Sequence, residues 1–399
     1  MSKRVGLLTL PLHTNYGGIL QAVALYWFLT SELNKDVVFL ERASSLSGTS
    51  PLHRTAVGLL EHLPWLPTLQ SQLTTMAEKR PPLSRLLPSG LTRKLLEKAD
   101  IALRARRAKG HQPFLNRFVS SRSGKLTTTR DMAAAIHRFG IDTLVVGSDQ
   151  VWRLEYLPRG AEEDFFFGFA PSPAIRKVAY AASFGHGNWT YPQLTTRIKA
   201  LLAQFDAVSV REASGVEICA KVFDRNDALH VIDPTLLIDP AFYVRIAEPV
   251  GRKPGKSFLS YVLDEEPDRP IFSREVQRAL EPDHSYHSLT LDAGATTLDV
   301  SGWVRAFVEA DFVLTDSFHG MAFSIIFRKN FIAIVNRNRG ADRFTSLLSQ
   351  LGLMDRLVSD AAPDRLRELV RTPIDFAVVD EKLKELQATS IAFLRQALG

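Results

Sequence analysis

Short apolar runs alternate with amphipathic stretches along most of this chain, as they do where strands and helices take turns. Residues 5–10 form a β-rich apolar run that reads as a fully buried strand, and residues 18–31 read as the helix after it, with Ile19, Ala22, Val23 and Tyr26 on one stripe. Residues 37–40 make a second strand. The alternation resumes with a helix at 133–139, strands at 143–146 and 177–181, a helix at 194–204, and strands at 207–210 and 230–232. A second set follows: strands at 258–263, 285–289, 312–315 and 331–335, helices at 274–280, 303–309 and 320–327, and a long amphipathic helix at 381–398. Such alternation predicts parallel sheets covered on both faces by helices.

The proline of Asp233-Pro234-Thr235 holds the residue before it extended, which fits a point where the chain leaves one domain for another. The expected organisation is a first domain over 1–235, a second over 236–378, and a terminal helix over 379–399 that packs back across them. At 399 residues, two domains are the ordinary expectation. Residues 43–125 interrupt the pattern with the Pro-rich runs at 63–67 and 80–82 and a basic helical stretch at 91–109, and they read as an insertion.

Charge sharpens this picture. The chain carries a formal net charge of +6, yet residues 51–125 hold 14 Lys plus Arg against 4 Asp plus Glu, so the remainder is mildly acidic. The basic segment, with Leu63, Trp65 and Leu66 between prolines, fits a peripheral contact with an anionic membrane as well as it fits a solvated insertion. No apolar stretch approaches the roughly 20 residues of a membrane span, and the first apolar run is too short for a signal peptide. Cys219 is the single cysteine, which excludes a disulfide framework and fits a reducing cytoplasm. No metal site is predicted, because the ten histidines include no H-E-x-x-H pattern; no G-x-S-x-G elbow, Walker loop or G-x-G-x-x-G fingerprint occurs either.

The chemistry-bearing residues fall where predicted strands end. Thr315-Asp316-Ser317-Phe318-His319-Gly320 joins a strand to a helix, placing His319 where open α/β sheets hold ligands and aiming the Gly320 amide at an anion. Asn15-Tyr16-Gly17-Gly18 closes the first strand and lets backbone approach a ligand. Ser148, Asp149, Gln150, Trp152 and Arg153 form a loop that suits a sugar, with polar groups for hydroxyls and an indole for the apolar face. Arg211, followed by Glu212, offers a planar fork to a carboxylate or phosphate, and Arg339 and Arg343 add cations after the strand at 331–335.

The ordered set Asn-Tyr-Gly-Gly, Gly-Ser-Asp-Gln-Val-Trp, Arg-Glu, Asp-Pro-Thr and Ser-x-His-Gly, starting at Asn15, Gly147, Arg211, Asp233 and Ser317, resembles the polysaccharide pyruvyl transferase family over nearly all the chain outside 43–125. The resemblance implies two Rossmann-like domains facing a cleft, similar to the glycosyltransferase-B architecture. It implies transfer of a pyruvyl group from phosphoenolpyruvate to two hydroxyls of a sugar, forming a ketal, without metal or nicotinamide. By similarity, His319 and Arg211 stand at the phosphoenolpyruvate. Arg153 departs from a frequent asparagine, and Arg328-Lys329-Asn330 from a common Gly-Lys-Pro.

The expected partners are phosphoenolpyruvate and a saccharide acceptor, lipid-linked at the inner face of the plasma membrane, and not nucleic acid. His319 would act as the acid, since histidine exchanges protons near neutral pH, with Asp149 or Glu212 as the base. A nucleotide-sugar glycosyltransferase and a non-catalytic glycan-binding protein are the competing readings.

Overall fold

The protein was analysed as a computed structural model that describes residues 4–12, 15–43, 110–158, 160–248, 256–264, 266–280, 284–289, 298–336 and 340–399. The Pro-rich runs, the basic stretch at 91–109, and Arg339 lie outside these residues.

Seven strands form the first sheet: β1 (Arg4–Leu8), β2 (Asp36–Arg42), β3 (Arg122–Leu126), β4 (Thr143–Val146), β5 (Arg176–Ala182), β6 (Ala207–Val210) and β7 (Leu229–His230). Their order is β3-β2-β1-β4-β5-β6-β7, with every pair parallel. This is the doubly wound order of a Rossmann fold with one added strand, and its switch point lies between β1 and β4. The second sheet holds β8 (Lys256–Tyr261), β9 (His284–Leu289), β10 (Phe312–Thr315), β11 (Asn330–Ile334) and β12 (Leu357–Val358) in the order β12-β11-β10-β8-β9, also all parallel. That is the other common doubly wound order, with its switch point between β8 and β10.

The bounds of the insertion change. Residues 122–126 are not part of an interruption but the edge strand β3, paired with β2, and the 110–118 stretch is helical. Two small residues between two charged ones (Arg122, Ser123, Gly124, Lys125) hid this strand, because an edge strand needs little apolar character.

The Tyr16–Trp27 helix is buried on nearly every face, as a composition apolar but for Gln21 requires. It lies between the first sheet and the second domain, with Tyr16 stacked on Trp303 at 5.8 Å. The Phe376–Leu398 helix reaches back to the first domain: Ser390 Oγ accepts from Ile232 N, and Lys35 donates to Leu398 O. Among the described residues no helix is long and apolar enough to cross a membrane.

Candidate active site

The carboxyl ends of β4, β5, β6 and β10 converge on one buried cluster. Gly147, leaving β4, adopts φ +137°, and a Cβ there would lie 1.9 Å from the carbonyl oxygen of Tyr180, so only glycine fits. Asp149 follows at φ +70°, a left-handed conformation that aspartate tolerates better than most residues. The turn swings its carboxylate toward β6, where Arg211 begins the loop.

Arg211 is the hub. Nη2 donates to Asp149 Oδ1 and Nη1 to Asp233 Oδ2, each at 2.6 Å, with all three side chains at most 4% exposed. Asp233 in turn accepts from Thr235 N and Oγ1 at 3.0 and 2.8 Å through Oδ1, and from Ser148 Oγ at 3.2 Å through Oδ2. His319 Nε2 faces the same Oδ2 at 3.7 Å, an ion-pair contact longer than a hydrogen bond, and Nε2 makes no hydrogen bond among the described residues. Arg343 stands 3.9 Å from Asp149, and the Arg211 and Arg343 guanidinium groups lie 4.7 and 5.4 Å from the Phe318 ring centre.

The electrostatics follow from this packing. Burial pushes the Asp233 carboxyl up, but His319, Arg211 and the Thr235 N–H outweigh it and hold it well below the usual range. Asp149 is likewise held down against burial by Arg211, His319 and Arg343. Burial alone would lower Arg211, and the Asp149, Asp233 and Glu212 carboxylates raise it instead. Arg343 is lowered to about 10 by burial and then by the Arg211 cation, so it stays charged at neutral pH. Glu212 moves the other way: burial raises it despite Arg211 and Arg343. Its Oε1 accepts from Phe184 N at 2.8 Å, while Oε2 makes no hydrogen bond among the described residues. Two carboxylates are thus held as anions, whereas burial favours the protonated form of the third.

His319 sits at the start of the Phe318–Ile326 helix, where Ser317 is the N-cap and accepts from Gly320 N at 3.3 Å. Gly17 packs directly on the imidazole: a Cβ at Gly17 would lie 2.2 Å from His319 Cγ and Nδ1. The first-turn amides of Gly17 and Gly18 have no intrahelical acceptor, and Asn15 makes no side-chain cap, so this helix end retains donors beside His319.

Asp149, Arg211, Glu212, Arg343, Ser148, Gly17 and His319 are therefore brought together, and several other expectations change. Trp152 is fully buried, stacked on Phe166 at 5.2 Å and donating to Phe165 O, so it packs the first domain and offers no face to a sugar. Tyr16 donates to Leu298 O at 2.6 Å and braces one domain against the other. The Gly320 amide is taken by Ser317 Oγ rather than left for an anion. Gln150 accepts from Arg153 Nη1 at 3.1 Å and shapes its own loop. Arg211, with both ends of its fork on resident carboxylates, is an organiser of the site more than an open clamp.

The sequence places Asp233 at a domain boundary and in a family motif without a role in the site, and it does not single out Gln21. Gln21 accepts from Ser148 N at 3.1 Å and donates to Thr9 Oγ1 at 3.0 Å, locking the β4 loop to the first helix. The local cue for Asp233 was present, since Asp-Pro-Thr is a side-chain-capped turn; its Oδ2 contacts were not local. Among the described residues no group of three or more His, Cys, Asp or Glu is set to hold a metal ion.

Two doubly wound parallel domains, with a buried histidine, arginine and carboxylate cluster at converging strand ends, define an α/β protein of the glycosyltransferase-B fold. The UDP-N-acetylglucosamine 2-epimerase of Rickettsia bellii shares the fold, with 8% identity, coverage of 100% of this chain and 97% of that chain, and a TM-score of 0.50. UDP-GlcNAc 2-epimerase from Neisseria meningitidis bound to UDP-GlcNAc (8% identity, 98% and 99% covered, TM-score 0.46) and the wall teichoic acid polymerase TagF (11%, 98% and 82%, 0.44) are also similar. No curated protein sequence matches the chain. Residues 15–338 match the polysaccharide pyruvyl transferase family, and the chain belongs to that family.

Proposed function

We propose that this protein transfers a pyruvyl group from phosphoenolpyruvate to two hydroxyls of one sugar in a surface or exopolysaccharide precursor, giving a ketal and inorganic phosphate. The observation that carries the reading is the His319–Asp233–Arg211–Asp149 cluster, in which a histidine is pinned beside an ionised carboxylate and two arginines.

Phosphoenolpyruvate is an enol ester with a carboxylate and a phosphate, so its activation needs a proton at the methylene carbon and cations at the two anionic groups. His319 delivers that proton to C3, and the first sugar hydroxyl adds to C2 while giving up its own proton. Glu212 is the better recipient, because burial favours its protonated form and Oε2 makes no hydrogen bond among the described residues, whereas Asp149 is neutralised by Arg211. The C2–O bond to phosphate then breaks, the second hydroxyl closes the ketal at C2, and its proton leaves with the phosphate. Arg343, whose contact with Asp149 is longer than either Arg211 pair, grips the donor's anion, with the Gly17 and Gly18 amides beside it and Arg211 as fixed positive charge behind. The saccharide is lipid-linked and met at the cytoplasmic leaflet in this reading.

Incubation with phosphoenolpyruvate and extracted lipid-linked saccharides should release phosphate and add the mass of one pyruvic acid less one water to the acceptor. His319→Ala should lower that turnover at least about a hundredfold, given the usual worth of a positioned acid. Phosphoenolpyruvate should also raise the melting temperature. A nucleotide sugar that stabilises the protein while phosphoenolpyruvate does not would overturn the proposal.

A further inference from the structure

With Trp152 buried, the loop after β4 retains an aromatic ring that faces outward four residues later. Two aromatic side chains are 40% exposed among the described residues, Tyr156 and Tyr286. Tyr286 lies on the edge strand β9, remote from the first sheet's strand ends, whereas Tyr156 ends the short Leu154–Tyr156 turn in the loop that also carries Asp149.

Tyr156 is held in place for a ring meant to be used from outside. The Arg153 guanidinium lies 4.3 Å from its ring centre, and Arg153 is itself fixed by Gln150 Oε1 at 3.1 Å and Glu155 Oε2 at 3.6 Å. The backbone adds a turn, Tyr156 N donating to Arg153 O at 3.0 Å. Close packing links the ring's support to the proposed donor cation: a Cβ at Gly185 would lie 2.4 Å from Gln150 Oε1 and 2.7 Å from Arg153 Cδ, and a Cβ at Gly340 would lie 2.3 Å from Gly185 O and 3.5 Å from Arg343 Nε. From the β5 loop, His186 Nε2 approaches Glu155 Oε1 at 3.4 Å, so a partly exposed imidazole meets the carboxylate of the residue that precedes Tyr156.

We infer that Tyr156, with Glu155 and its partner His186, is a stacking platform for the pyranose ring of the acceptor saccharide. The inference rests on the pyruvyl-transfer reading for its acceptor and deepens it. A pyranose has one face of C–H bonds that packs on an aromatic ring, and equatorial hydroxyls that reach an acceptor carboxylate and an imidazole. The rim's charges are mixed, Arg153 against Glu155, which suits a neutral polyhydroxyl better than a nucleoside diphosphate. The anion-binding groups lie deeper, at Arg343, which keeps sugar and donor on adjacent subsites.

Saturation-transfer NMR with methyl β-D-galactopyranoside and methyl β-D-glucopyranoside, on the full chain, tests this. Wild-type protein should transfer saturation to the ring C–H protons of at least one glycoside. Tyr156→Ala should weaken that binding about tenfold, the upper worth of an aromatic stack, and Tyr156→Phe should restore it, since the ring and not the hydroxyl is required. All variants should keep the wild-type melting temperature and its rise with phosphoenolpyruvate. Tyr156→Ala binding the glycosides like wild type, no transfer to either glycoside in wild type, or a Tyr156-dependent signal from UDP alone would each overturn the platform. A missing phosphoenolpyruvate shift in wild type would strike the donor reading instead, so the two failures are separable.

Discussion

Replacing Asp233 by asparagine takes one charge out of a cluster that water does not reach. Arg211 Nη1 loses its 2.6 Å partner, and His319 loses the oxygen it faces, while the amide oxygen of asparagine can keep the two Thr235 bonds at Oδ1. The Arg211 and Asp233 side chains are 1% and 0% exposed, so no solvent discount applies. Removing one partner of a buried pair costs about 3–5 kcal/mol, and the retained Thr235 bonds place the expectation near the lower end, about 3 kcal/mol. The pH dependence has a definite sign. Because His319, Arg211 and Thr235 hold the native carboxyl below its unfolded value, its stabilisation is complete above about pH 4 and is lost as the pH falls through the native value. Equilibrium urea unfolding of both proteins should therefore show a gap that is constant around neutrality and narrows in acid. A gap under about 1 kcal/mol at neutral pH, or one that widens on acidification, would refute the view of Asp233 as the buried counter-ion of Arg211.

Gly17→Ala should force the His319 ring aside and cut phosphate release at least about tenfold, with about 1–3 kcal/mol of strain; in a His319→Ala background the strain should largely vanish, as calorimetric or urea measurements of the double variant would show. Trp152→Phe should cost about 1–3 kcal/mol through the lost Phe165 hydrogen bond and packing, yet leave glycoside binding by NMR unchanged. Sedimentation with anionic vesicles at low salt should bring down wild-type protein and less of the variant with Arg104, Arg106, Arg107 and Lys109 replaced by glutamine, at ~1 kcal/mol per well-placed cation; no sedimentation of wild type would leave the segment a solvated insertion.

The strand-end loops were legible because each joins an apolar run to polar and glycine residues, a signal contained within ten residues. Roles within those loops were less legible. Trp152 and Arg153 adjoin in sequence, yet one faces the core and the other supports Tyr156, a difference set by the Phe165 and Phe166 packing that no local pattern announces. Asp233 shows the limit most clearly. Its Oδ1 caps its own turn two residues on, which reads as punctuation, while Oδ2 meets partners 22 and 85 residues away. The helices at Ala213–Phe223 and Asp342–Leu351 are not among the predicted elements, and neither start carries a side-chain cap to announce it; the second of them delivers Arg343.

The Phe376–Leu398 helix gives the chain an awkward modularity. It follows the second domain in sequence, yet Ser390 completes a backbone hydrogen bond of the first, Leu398 O accepts from Lys35, and Phe393 lies beside Tyr180 of β5. Cutting the chain between its two sheets would strand those groups on the wrong piece. Any exchange of domains between relatives, by recombination or by design, has to move this helix with the sheet it covers rather than with the sheet it follows.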